Sequence, residues 1–242
     1  MGGTVLVAER FCGPSDSANG GYVSGLVALH LGGAAEVELR RPPPLGAPMS
    51  VVVEDGQAQV TDPDDGGLVL RGRALADGEP DVGSPPVVSP QEAREATQRY
   101  VGFERHPFPR CFTCGPDRED GDGLRIFPGQ VADRGAGIVA APWRPHDALA
   151  DEGGMVPAPA VWAALDCPTG FTAINADMDG LPYVLARFAV RIDAPVRAGA
   201  DHVVVGWPLG DHGRKHTAAS ALFDEHGRVV ARSRALWIQL RG

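Results

Sequence analysis

Ala35-Glu-Val-Glu-Leu-Arg-Arg-Pro-Pro-Pro44-Leu and, far downstream, Ala186-Arg-Phe-Ala-Val-Arg-Ile-Asp-Ala-Pro195-Val are two passes of one pattern. Each alternates like a half-buried strand and then breaks at proline, which cannot supply a ladder N–H. A second pair repeats the relation: Leu68-Val-Leu-Arg-Gly-Arg73-Ala-Leu75 matches Val229-Val-Ala-Arg-Ser-Arg234-Ala-Leu236. Self-similarity of this kind implies two copies of one structural unit. In each copy a Gly-rich loop leads into an apolar helix, Asn19 to Leu31 in the first half and Ala158 to Ala176 in the second. Strands follow, at Ala35–Arg40, Met49–Glu54, Gln57–Thr61 and Leu68–Ala74, then at Tyr183–Ile192, His202–Pro208, His216–Phe223 and Val229–Leu240. The turn signals Asp55-Gly56 and His226-Gly227 predict antiparallel meanders. Both helices are apolar nearly all round, so each is expected to be buried, wrapped by its own sheet.

Working outward, residues 1–75 form the first unit and 111–242 the second, with 76–110 between them. The stretch Ala76 to Val88 is rich in Gly, Pro and Asp and reads as linker; Ser89-Pro90-Gln-Glu then starts a short connecting helix reaching about Tyr100. A chain of 242 residues accommodates two such units, each with enough length for a core. A net charge of −9 without a block of Lys and Arg argues against nucleic acid or an anionic membrane as partner. Met1 to Cys12, interrupted by Glu9 and Arg10, do not make a secretory signal, so a cytoplasmic location is expected, with Cys12, Cys111, Cys114 and Cys167 as thiols.

The most specific string is Cys111-Phe-Thr-Cys114-Gly-Pro-Asp-Arg-Glu-Asp-Gly-Asp-Gly123-Leu124-Arg-Ile. It resembles the Cys-Phe-x-Cys-Gly, then Gly-Leu, opening of phenylacetic-acid-type hotdog thioesterases, with Asp-Gly-Asp before Gly123 where that family has Asn-Pro-x. Val161-Trp-Ala-Ala-Leu-Asp166-Cys-Pro-Thr-Gly170 is similar to the helix bearing that family's catalytic carboxylate, and Asn19-Gly20-Gly21 resembles its His-Gly-Gly helix start, with Asn for His. The resemblance implies an α+β double hotdog: two tandem units, each an antiparallel sheet around a central helix. It also implies that a carboxylate on one unit's helix faces the N-terminus of the other's. Aligned without gaps, the two helices set Asn19 against Pro157, Gly20 against Ala158, Gly21 against Pro159 and Asp166 against Ala28. One composite site is then expected, Asp166 with Gly20 and Gly21, and its reciprocal is dead because Pro159 has no N–H.

At that site Asp166 would act as general base on water or as nucleophile, with the Gly20 and Gly21 amides as oxyanion site. Asn19 would cap the helix. Ser24 and Thr169 are the polar residues that could assist Asp166. The competing reading makes Asp166 a cap where Pro168 interrupts its helix. His30 is expected as a core histidine, His216 as a solvated residue of a basic loop that could meet coenzyme A phosphates, and Trp143 and Trp162 as core. One Cys-x-x-Cys pair lacks the four ligands of a structural zinc site; Cys12, Cys167, His106 and His146 are candidate completers, but none forms a second pair. No metal and no cofactor are therefore expected. The expected partner is a thioester of coenzyme A or an acyl carrier, with no nucleic acid or membrane, and double hotdogs could pair as homodimers. Hydrolysis of that thioester is the leading function; non-catalytic binding of an acyl ligand is the alternative. A dehydratase would need Asp-x-x-x-x-His before the helix, where Asp151 is followed by Val156.

Overall fold

The computed structural model describes residues 2–135, 137–174 and 182–241. Its first half contains β1 (Gly2–Val5), helix α1 (Gly20–His30), β2 (Ala35–Leu39), β3 (Met49–Glu54), β4 (Gln57–Thr61) and β5 (Leu68–Ala74). A connecting helix α2 (Pro90–Thr97) follows. The second half has β6 (Gly129–Gln130), β7 (Val139–Trp143), helix α3 (Ala158–Ile174), β8 (Tyr183–Ile192), β9 (His202–His212), β10 (Lys215–Phe223) and β11 (Val229–Gln239). The expected helix end at residues 175–176 lies outside the described residues.

Among the described residues the eleven strands join one sheet in the order β1-β3-β4-β5-β2-β8-β11-β10-β9-β7-β6, every pairing antiparallel. The join is made by the duplicated strand itself. β2 pairs with β8, Ala35 opposite Val190 and Val37 opposite Phe188. Since the repeat equates Val37 with Phe188, the two halves are related by a pseudo-dyad through that one residue pair. Each half otherwise has an edge of unpaired N–H and C=O groups at this strand; pairing the copies satisfies both.

Inside the curve lies the main core, where α1 and α3 pack against each other and against both halves of the sheet. Two glycines set how closely the helices cross. A Cβ on Gly21 would stand 2.6 Å from Asp166 Cβ and 2.8 Å from the Trp162 carbonyl oxygen, and one on Gly25 would stand 2.6 Å from Pro159 Cα. With i, i+4 spacing the two occupy one face of α1, which rests directly on the backbone of α3.

A second core lies on the outer face of the second half's sheet. Val82 and Val88 of the connecting segment, with Ala93 and Ala96 of α2, bury Val203, Val205, Trp207, Ala219 and Ala221. The linker is therefore a packed layer, and β9 reads as a continuous apolar run because both its faces are covered. α2 starts as expected: Ser89 Oγ accepts from the Glu92 amide at 3.2 Å and Glu92 returns a bond to the Ser89 amide at 2.8 Å.

Two expectations are corrected. Pro168 does not interrupt α3, which runs through it. Proline removes one i to i−4 bond and crowds the preceding turn; hydroxyls approach that turn, Thr113 donating to the Ala163 carbonyl at 3.0 Å and Ser220 to that of Leu165 at 2.7 Å. His30 is exposed on the last turn of α1, beyond the buried part of the helix, instead of lying in the core.

Candidate active site

Residues Cys111 to Ile126 close over the crossing of the helices. Phe112 lies edge-on to Phe11 and Tyr22, whose rings stack at 3.9 Å, while its amide donates to the Cys12 carbonyl at 2.7 Å. Arg118 is buried within the loop: its guanidinium donates to the carbonyls of Arg110 (2.7 Å) and Arg10 (2.6 Å), to Asp122 (2.8 Å) and to Cys12 Sγ (3.1 Å). These bonds hold the family-like string against the start of α1.

Beneath the loop, the Gly21 amide donates to Asp166 Oδ2 at 2.9 Å. The carboxylate of one half thus meets the helix N-terminus of the other, where unpaired amides and the helix dipole favour negative charge. The second oxygen, Asp166 Oδ1, is buried and has no hydrogen-bond partner among the described residues. Burial pushes the carboxyl up to about 7; the Gly21 amide opposes this, negative charge on Cys111 adds to it, and the nearby Asn19 amide, short of normal hydrogen-bond geometry, pulls it down. Asn19 caps α1, its Oδ1 accepting from the Tyr22 amide at 2.9 Å, and its Nδ2 faces Cys111 Sγ at 3.8 Å.

Asp166, Asn19 and Gly20 open onto a cavity of about 570 Å³. Its walls are largely apolar, including Leu39, Phe108, Phe171, Leu185 and Trp237, and Arg40, Arg41 and Arg105 also line it. Arg40 pairs with Glu38 at 2.5 Å and Arg41 with Asp65 at 2.6 Å. The Gly20 amide, the first of α1, has no acceptor among the described residues.

Several assignments change against this geometry. Of the two glycine amides expected as oxyanion donors, that of Gly21 is engaged by Asp166, leaving Gly20. Thr169 does not reach the carboxylate: its hydroxyl donates to the Asp166 backbone carbonyl at 2.6 Å and accepts from Trp237 Nε1 at 2.8 Å. Ser24 is buried with its hydroxyl unpartnered and does not line the cavity. His216 is buried, not solvated; strand pairing turns it inward, where it meets Thr172 Oγ1 and Asp211 Oδ1, each at 2.5 Å. Trp143 and Trp162 are buried away from the cavity, as expected for core residues. Pro159, in the first turn of α3, lies against Gly25; it has no N–H and residue 28 is alanine, so the reciprocal pair offers no acid and no amide.

What spacing could not reveal is that Cys167, next to Asp166, joins Cys111 and Cys114. The three Sγ atoms lie within 4.8 Å of one another, Cys111 and Cys167 at 3.7 Å. His106 Nε2 stands 3.3 Å from Cys114 Sγ, whereas Cys12 is taken by Arg118. The advance signals were the Cys-x-x-Cys pair and the naming of Cys167 and His106 among four candidate completers, which spacing could not rank.

No protein-family model and no curated protein matches the sequence. Solved structures do match over the whole chain. The tesB protein of Mycobacterium avium subs paratuberculosis superposes with a TM-score of 0.66 at 14% identity, over 99% of this chain and 93% of that one. The acyl-CoA thioesterase II TesB2 of Mycobacterium marinum gives 0.61 at 13% identity, over 99% and 93%. A conserved protein of unknown function with a hot dog fold from Alicyclobacillus acidocaldarius gives 0.61 at 14%, over 100% and 94%. The chain has the fold these proteins share, a double hotdog in which two antiparallel units wrap two central helices.

Proposed function

We propose that the chain is a thioester hydrolase acting on an acyl group carried by coenzyme A or a carrier protein. One observation carries the reading: a buried carboxylate, anchored through one oxygen to the other half's helix and with its second oxygen unpartnered among the described residues, lines a largely apolar cavity beside the first amide of that helix. The acyl chain occupies the apolar walls, and the thioester carbonyl oxygen accepts from the Gly20 amide at the positive end of α1. Asp166 Oδ1 takes a proton from water as the water oxygen attacks the carbonyl carbon. The tetrahedral intermediate then collapses, the C–S bond breaks, and the departing thiolate takes that proton back from Asp166, leaving acid, thiol and the carboxylate restored. The tether through Gly21 keeps the carboxylate aimed without adding a competing side-chain donor. Arg40, Arg41 and Arg105 line the cavity, where a nucleotide's phosphates would compete with Glu38 for Arg40 and with Asp65 for Arg41. The fold neighbour named as an acyl-CoA thioesterase supports the reading.

Thiol release from a panel of acyl-CoAs and acyl carriers tests it. Asp166→Asn keeps shape while removing the charge that activates water, and kcat is expected to fall about 10²-fold or more. Full turnover by this variant would exclude Asp166 as base. A second reading, acyl-ligand binding without turnover, is favoured by the absence, among the described residues, of a hydroxyl or amide side chain hydrogen-bonded to the carboxylate, Thr169 being engaged elsewhere. Wild-type protein that binds acyl-CoA by calorimetry and cleaves none of the panel establishes that reading instead.

A further inference from the structure

We propose that Cys111, Cys114 and Cys167 form a three-thiolate site for a zinc-type divalent cation, its fourth position turned to the cavity. The inference is independent of thioester hydrolysis. It starts from spacing. A tetrahedral ion with metal–sulfur bonds of about 2.3 Å sets its sulfurs about 3.8 Å apart; Cys111 and Cys167 stand at 3.7 Å, and all three sulfurs fall within 4.8 Å of one another. That separation is far beyond the ~2.05 Å of a disulfide.

The N–H groups around the sulfurs point the same way. Thiols packed only as small apolar groups need no donors. Here Asn19 Nδ2 faces Cys111 Sγ at 3.8 Å, and His106 Nε2 lies 3.3 Å from Cys114 Sγ. A set of N–H donors aimed at sulfur stabilises thiolate, the form that ligates metal. Buried thiolates next to the Asp166 carboxylate would be costly without a cation, and a divalent ion among them removes that cost.

His106 completes the surroundings without being a ligand. Its Nδ1 accepts from the Phe108 amide at 2.8 Å, which places the proton on Nε2 and makes that nitrogen a donor to Cys114. Among the described residues no further His, Cys, Asp or Glu atom joins the cluster within 4.8 Å of every member. All three cysteines line the cavity, so a water or a small ligand from it would supply the fourth bond. The ion would staple the Cys111–Cys114 loop to α3 one residue after Asp166, and loading it would release the thiol protons.

The test is metal content. Chain expressed in zinc-supplemented medium and purified under reducing, chelator-free conditions is expected to carry about one zinc by mass spectrometry of the metal. Cys111→Ser, Cys114→Ser and Cys167→Ser are each expected to lower it at least tenfold, while His106→Gln retains it. Wild-type protein stripped by chelator and reloaded with Co²⁺ is expected to show the visible bands of a four-coordinate thiolate site, and these shift when imidazole enters the open position. Wild-type chain that holds no zinc as purified and takes up neither Zn²⁺ nor Co²⁺ at micromolar concentration overturns the proposal, whatever the variants do. Full metal content in Cys167→Ser, or its loss in His106→Gln, overturns the three-thiolate assignment.

Discussion

Gly21 shows how one residue can serve packing and chemistry together. Its amide holds Asp166, and its missing side chain is what lets α1 lie on α3. Gly21→Ala is expected to destabilise the chain by about 3 kcal/mol, at the upper end of overpacking costs, because the new methyl meets backbone of α3 that cannot turn away. Urea unfolding measures this; a loss below about 0.5 kcal/mol would mean the helices are not held as closely as described. Asn19-Gly20-Gly21 was legible as a capped helix start, since an Asx cap and small residues there have local causes. That Gly21 makes room for a helix, and only Gly20 remains for a ligand, depends on a crossing distance no local pattern encodes. The same holds for Cys167, whose partners lie more than fifty residues away along the chain, at Cys111 and Cys114.

Among the elements, α2 permits a clean test. Ser89→Ala is expected to cost about 1 kcal/mol through loss of the N-cap, read as a lower urea midpoint with unchanged slope. The reciprocal bonds from the Ser89 backbone and side chain, then the Arg134 guanidinium, hold Glu92 down at about 2. A carboxylate lowered on folding adds stability that is present above its ordinary value of 4.5 and lost as pH falls from there to about 2. The stability difference between wild type and Glu92→Gln should therefore be largest above pH 4.5 and shrink below it; a pH-independent difference would show that the charge contributes nothing. Strands and helix starts were readable along the chain because alternation, Asp-Gly turns and caps act within a few residues. Pro168 and His216 were misread for one reason: proline looks like a break and histidine beside Arg214-Lys215 like surface until the surroundings are known. Here hydroxyls from other elements reach the helix turn before Pro168, and pairing with β9 and β11 sets His216 on the inner side.

For the whole molecule, the seam between β2 and β8 carries the largest single commitment. Phe188 is fully buried on it and meets Trp162 of α3 edge to face, with ring centroids 5.7 Å apart. Phe188→Ala should cost about 3–5 kcal/mol and lower the unfolding midpoint of both halves together, as one transition. Two separate transitions by calorimetry would show that the halves fold independently of their seam. The repeat was legible along the chain, but that its β2 and β8 copies pair with each other at the seam was not. The outer layer formed by Val82, Val88 and α2 was not, since a Gly- and Pro-rich linker announces only that it is irregular and gives no sign of what its few valines will touch.

The dyad through Val37 and Phe188 also changes what mutation can do to this protein. In an assembly of two identical chains every substitution arrives twice, and a change that helps at one crossing of the helices is imposed on the other. Joined in one polypeptide, the copies inherit separately. Position 166 can be acidic while position 28 stays alanine, and residue 159 can be proline while residue 21 stays glycine. The repeat survives in the strands, β2 with β8 and β5 with β11, while at the crossing of the helices the two halves have become different machines.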